Sequence, residues 1–274
     1  MPGYDRRLER DFARCIRAHR SWSVVISEGD SWFSYPFARN VVDWLDDPQD
    51  TGVPAKQTKG SLLRLEGSGD EILAMLSGGQ RADLRDRLDR YDVQVLLFSG
   101  GGNDIVGPDL LPLLVPFVNG MTAADCLVRP RLDRRLRQIR DAYCELLDLV
   151  ADSGKPTVVV SHGYDYPKPS RVGVKLLGGA IKLGPWLLPY LEERGIRDKA
   201  LQAGIVKILI DEFDAMLQSL AGPSFVPLDV RGLVGDDWVN EIHANRRGSR
   251  RVAARFAAEL VRRFPGLAFP GLLT

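Results

Sequence analysis

The stretch Ile26-Ser27-Glu28-Gly29-Asp30-Ser31-Trp32-Phe33 decides how this chain is read. The apolar run Val24-Val25-Ile26 predicts a short buried strand, at about Val24–Ser27. It stops at a Gly-Asp-Ser turn, and a helix is expected from Pro36 to Trp44, with Phe37, Val41 and Trp44 on its apolar side. Gly-Asp-Ser is common turn chemistry. A serine at the end of a first strand, just ahead of a helix, is also well placed to be a nucleophile. There its hydroxyl is held at the edge of a sheet, and its own N–H faces a developing oxyanion. The remainder of the chain has to choose between these readings.

Outward from that stretch, strands and helices alternate. Residues 4–20 form a charged amphipathic pattern, with Leu8, Phe12, Cys15 and Ile16 on one face. Ser61–Leu65 predicts a strand ending in Glu66-Gly67-Ser68-Gly69-Asp70, followed by helices at Glu71–Leu76 and Arg81–Tyr91. Val93–Phe98 is a nearly unbroken apolar run, as in a strand covered on both faces. It leads into Ser99-Gly100-Gly101-Gly102-Asn103-Asp104. A helix over Pro130–Asp152, a strand at Thr157–Ser161 and a long helix at Asp198–Leu220 follow. Phe225-Val226-Pro227-Leu228 reads as an edge strand, because proline has no N–H to donate to a ladder. A closing helix spans about Gly248–Phe264. The segment 168–196 is irregular and apolar, and too long for a simple connection.

Alternating strands and helices imply right-handed crossovers and a mainly parallel sheet covered by helices on both faces. The expected architecture is a three-layer α/β/α sandwich of flavodoxin-like type. Ligands in such sheets bind at the carboxyl ends of the strands. Three strand ends here carry small polar blocks, Gly29-Asp30-Ser31, Ser68-Gly69-Asp70 and Gly101-Gly102-Asn103-Asp104. The same rule brings all three to one rim.

Composition narrows the classes. The chain has 274 residues, ample for a real core, with 45% hydrophobic and 27% charged residues. A formal net charge of +1 gives no global field for nucleic acid. The arginines at 246, 247, 250, 251 and 255 read as a solvated helix face. No run approaches a transmembrane length, and the charged start lacks an apolar signal core. Cys15, Cys126 and Cys144 form neither a disulfide framework nor a metal-ligand pattern. A reducing cytoplasm is the simplest expected location. The glycine-rich Ser99–Asn103 block lacks the lysine and the spacing of phosphate-binding loops.

The ordered series Gly29-Asp30-Ser31, Ser68-Gly69-Asp70, Gly101-Gly102-Asn103-Asp104 and a late histidine resembles the SGNH (GDSL-type) hydrolase superfamily, from about residue 22 to residue 258. The resemblance implies one α/β domain over residues 1–274, with the apolar insertion at about 168–196. It implies Ser31 as nucleophile and His243 as base. The oxyanion donors it implies are the N–H groups of Ser31 and Gly69 and the side chain of Asn103. It calls for no metal or organic cofactor. Gly67 competes with Gly69 for the second position.

The chemistry requires these residue types. A serine hydroxyl is a weak nucleophile until an imidazole takes its proton. Each preorganised oxyanion donor is worth about 2.7–4 kcal/mol. Of the three histidines, His19 lies in the first helix and reads as a surface residue, and His162 at a strand end reads as structural. The chain departs from the family at Asn240, where an aspartate usually stands three residues before the histidine. An asparagine can accept from the imidazole and fix its tautomer, but it carries no charge to stabilise imidazolium. Asp237 is the alternative orienting partner, with Asp236 and Glu241 also nearby. Trp32, beside the nucleophile, reads as core packing.

The leading expectation is a serine esterase acting on a small-molecule ester through an acyl-enzyme. Two other readings stay open: a catalytically silent binding module, prompted by Asn240, and an acyltransferase to a carbohydrate acceptor. The insertion is expected to be either a lid over an acyl chain or a face against the body or a second copy of the chain.

Overall fold

A computed structural model describes residues 6–46, 58–176 and 181–273. Its centre is a five-stranded, wholly parallel sheet in the order β2-β1-β3-β4-β7. The strands are β1 (Val24–Gly29), β2 (Ser61–Arg64), β3 (Val95–Ser99), β4 (Val158–His162) and β7 (Phe225–Leu228). Every residue of β1 and β3 is buried, as the continuous apolar runs predict for strands covered on both faces. Among the described residues β7 is an edge strand, paired only with β4.

Helices α1 (Glu9–Ala18), α2 (Val41–Asp46), α3 (Ile72–Met75), α4 (Gly78–Arg90) and α5 (Arg129–Ala151) come in the first two-thirds of the chain. Helices α6 (Leu188–Glu193), α7 (Lys199–Gln218) and α8 (Arg246–Arg263) follow. α2 packs on α8, and α3, α4, α5 and α7 form a contiguous set. Neighbouring residues of β4 show the two faces of the sheet. Ser161 Oγ lies 3.1 Å from the Tyr143 hydroxyl of α5, whereas the His162 ring meets Phe256 of α8 at 5.5 Å. The three-layer α/β/α expectation therefore holds. Among the described residues, no helix is long and apolar enough to cross a membrane.

Local departures have local causes. The helix expected from Pro36 starts only at Val41. Asn40 Oδ1 accepts from Asp43 N–H at 3.1 Å while Asp43 Oδ2 accepts from Asn40 N–H at 2.9 Å, a reciprocal cap that fixes the start. α8 begins two residues before Gly248, because the Asn245 side chain accepts from the N–H groups of Arg247 and Gly248. The segment expected to be irregular holds an antiparallel pair, β5 (Val174–Leu176) and β6 (Ile181–Leu183), and then α6. The loop expected at 47–52 lies outside the described residues.

β1 runs two residues past the expected end, up to Gly29. That glycine sits at φ +150°, where a Cβ would fall 2.5 Å from the Ser99 carbonyl oxygen. Only glycine lets β1 and β3 stay this close at their carboxyl ends. Asp30 N–H then donates to that same carbonyl at 2.9 Å, which sets where Ser31 leaves the sheet.

Candidate active site

Ser31 and His243 lie 212 residues apart in sequence, yet Ser31 Oγ is 2.8 Å from His243 Nε2. Both are buried, with 5% and 6% of their surface exposed, so the contact is shielded from bulk water. The loop before α8 delivers the histidine. Val239 N–H donates to the His243 carbonyl at 2.9 Å, closing the turn from which the imidazole projects.

Asn240 occupies the orienting position. Its Oδ1 is 3.0 Å from His243 Nδ1 and accepts from the backbone N–H groups of His243 at 2.9 Å and Ile242 at 3.1 Å. Backbone N–H groups only donate, so this atom is the amide oxygen. Nδ2 is then left to donate to the Tyr35 hydroxyl at 2.9 Å. With Oδ1 as acceptor, Nδ1 carries the imidazole proton and Nε2 turns its lone pair to Ser31. Asp237, the alternative partner, is engaged elsewhere. It accepts from Arg251 at 2.7 Å and from the Asn245 amide at 3.1 Å. Asp236 is exposed and pairs with Lys168.

Burial alone acts on the His243 imidazole, pushing its pKa down to about 3, and no charged neighbour offsets this. The ring is therefore neutral across the physiological range, as a base must be.

Of the oxyanion candidates, Asn103 shares a cavity wall with Ser31. Asn103 Nδ2 donates to the Asp70 carbonyl at 2.8 Å, which fastens the third block to the second and leaves the second amide proton to spare. Gly69 sits at φ +91°. Among the described residues, neither Gly69 N–H nor Ser31 N–H has an acceptor. Gly67, the competitor, already donates to the Gly29 carbonyl at 3.0 Å.

No protein-family model matches the chain, and no curated protein matches it. Solved structures do match. The lipase Lip_vut3 from a goat rumen metagenome superposes with a TM-score of 0.54 at 14% identity, covering 86% of this chain and 96% of that one. An extracellular lipase from Streptomyces rimosus superposes with a TM-score of 0.50 at 15% identity, covering 86% and 99%. The chain has the fold of the SGNH hydrolases.

Two features surround the site within this SGNH fold. Behind Ser31 lies a buried polar row. Asp30 Oδ1 accepts from Trp32 N–H at 2.9 Å and lies 2.7 Å from Ser99 Oγ. Asp30 Oδ2 accepts from the Tyr164 hydroxyl at 2.6 Å, which in turn accepts from Gly102 N–H at 3.0 Å. Asp30 thus ties the turn that carries Ser31 to the glycine block that carries Asn103. His162 belongs to this row, with Nε2 3.0 Å from Ser99 Oγ and Nδ1 against the Gly163 carbonyl. It is fully buried, and burial pushes its pKa down to about 4. His19 stacks on Trp22, away from the site. Trp32 is buried against His162, Tyr164 and Trp238, as core packing predicts, and it also walls the cavity at Ser31.

The other feature joins the segment 168–196 to the loop that carries His243. Glu241 is fully buried and engaged by backbone. Its carboxylate accepts from the backbone N–H groups of Ser170 at 3.0 Å, Leu187 at 2.7 Å, Leu188 at 2.8 Å, and Trp186. This holds Trp186 perpendicular to the His243 ring, with centroids 5.3 Å apart, and brings Leu187 into the wall of the cavity. The cavity measures about 60 Å³. Ile105, Val106, Leu187, Leu209, Phe213 and Ile242 make most of its lining apolar. Tyr35, Tyr164 and Trp186 escape sequence reasoning, because no local pattern marks them.

Proposed function

We propose that this protein is a serine ester hydrolase that works through an acyl-enzyme. The observation that carries this reading is the row Ser31 Oγ, His243 Nε2, His243 Nδ1, Asn240 Oδ1, with contacts of 2.8 and 3.0 Å and Ser31 in the wall of an apolar cavity. Ser31 Oγ attacks the ester carbonyl as His243 Nε2 takes its proton. Ser31 N–H, Gly69 N–H and Asn103 Nδ2 receive the oxyanion. His243 passes the proton to the leaving alcohol, then draws one from the water that attacks the acyl carbon.

A second reading, a binding module without turnover, draws on the uncharged Asn240. Labelling with a fluorophosphonate separates the two. The wild type is expected to label at Ser31 and His243→Ala is expected not to. The pH profile has a definite sign. A base with a lowered pKa stays unprotonated below the ordinary histidine value of 6.5, so the labelling rate holds as pH falls through 6.5. It drops only as pH approaches the His243 value of about 3. A wild type that never labels would leave only the binding reading.

The cavity adds an expectation about the acyl group. At about 10–15 Å³ for each water-sized group, roughly four to six such groups fit. Each methylene that enters contributes about 0.8 kcal/mol, close to fourfold in kcat/KM. Among p-nitrophenyl esters, kcat/KM is expected to rise from acetyl to a maximum between butyryl and hexanoyl and to fall at decanoyl. A maximum at palmitoyl would mean that the acyl chain lies elsewhere.

A further inference from the structure

The Tyr35 ring lies face to face with the His243 imidazole, centroids 4.0 Å apart and planes 14° apart. Its hydroxyl accepts the Nδ2 proton of Asn240. Tyr35 is 8% exposed, so both contacts are sheltered. One side chain therefore touches both the imidazole and the amide that orients it.

That arrangement meets a specific need. When the imidazole takes the Ser31 proton it becomes a cation in a buried place. In a Ser-His-Asp row a carboxylate lies against that cation. Here, among the described residues, no carboxylate touches the ring. Glu241 faces the backbone of 170 and 186–188, Asp237 faces Arg251 and Asn245, and Asp30 faces Ser99, Tyr164 and Trp32 N–H. What does face the ring is the electron-rich surface of a phenol. Cations within about 6 Å of such a face are attracted to it, more strongly when desolvated.

We propose that Tyr35 does the work of the absent carboxylate as a positioning residue. Its ring face stabilises the His243 imidazolium, and its hydroxyl holds the Asn240 amide with Oδ1 toward Nδ1. No bond is made or broken at Tyr35. The proton moves from Ser31 Oγ to His243 Nε2, and Tyr35 lowers the energy of the cation so formed. This rests on the serine-hydrolase reading above.

The test varies the ring's electronics and leaves its shape nearly unchanged. Tyr35→Phe, then phenylalanines carrying one, two and three ring fluorines at position 35, are assayed on p-nitrophenyl butyrate. Fluorine draws charge from the ring face, so kcat is expected to fall stepwise, by about tenfold over the series, with KM unchanged. Repeated with Asn240→Asp, the series is expected to flatten to within about twofold, because a carboxylate now meets the imidazolium. A role in packing alone would not follow fluorine number. A flat series with Asn240, or equal slopes in both backgrounds, would overturn the proposal. An active wild type silenced by Ser31→Ala but showing a flat series rejects only the role of Tyr35. A wild type with no esterase activity and no labelling rejects the serine-hydrolase reading itself.

Discussion

Ser31→Ala is expected to lower kcat on p-nitrophenyl butyrate by roughly 10⁴-fold or more, with KM nearly unchanged and the fold intact. The hydroxyl is the atom that forms the acyl bond, so its loss removes the covalent route as a whole. The residual rate would come from the oxyanion donors and from binding alone. The substitution takes away one oxygen whose only hydrogen-bond partner among the described residues is His243 Nε2 at 2.8 Å. Little stability is lost, and circular dichroism and the thermal midpoint should match the wild type. His243→Ala should cost a similar factor, and the double variant little more, because residues that act as a unit are not additive. A Ser31→Ala protein that keeps full activity would remove Ser31 from the chemistry.

Glu241→Ala is expected to destabilise the protein by about 3–4 kcal/mol, read as a fall in the urea midpoint at constant slope. Four backbone N–H groups lose their acceptor together, at Ser170, Trp186, Leu187 and Leu188. A buried donor left without a partner costs about 1–3 kcal/mol, and the partly exposed ones recover some of that from water. Glu241→Gln keeps one oxygen and should lose about half as much. Activity should fall along with stability, because the same carboxylate seats Trp186 against His243. A change under about 1 kcal/mol would show that the insertion is anchored by other contacts.

Glu241 also marks where sequence reading stops. Its nearness to His243 was visible as sequence spacing, and spacing made it a candidate for the orienting carboxylate. Its actual partners lie 53–71 residues upstream, in a segment whose pattern showed neither strand nor helix. Tyr35 is hidden in the same way, 205 residues from the amide it holds. The candidate nucleophile and the candidate oxyanion blocks were legible for a different reason. In a parallel sheet the strand ends are cut to one rim, so three local turn signals become one site without any knowledge of contacts. His243 was legible by scarcity, since the chain has three histidines. The start of α2 was legible in principle, because Asn40 and Asp43 have capping spacing, but the proline and aromatic pattern upstream drew the helix too early.

Asp30 Oδ1 accepts from Trp32 N–H and Ser99 Oγ, and Oδ2 accepts from the Tyr164 hydroxyl, so three donors close on one carboxyl. Burial pushes the Asp30 pKa up, and the hydrogen bonds from Tyr164, Ser99 and Trp32 pull it back down. The carboxyl therefore cannot move without breaking bonds to β3 and to Tyr164, and through Tyr164 to Gly102. The turn that carries Ser31 is held in place before any ligand arrives, so no ordering of that turn has to accompany binding.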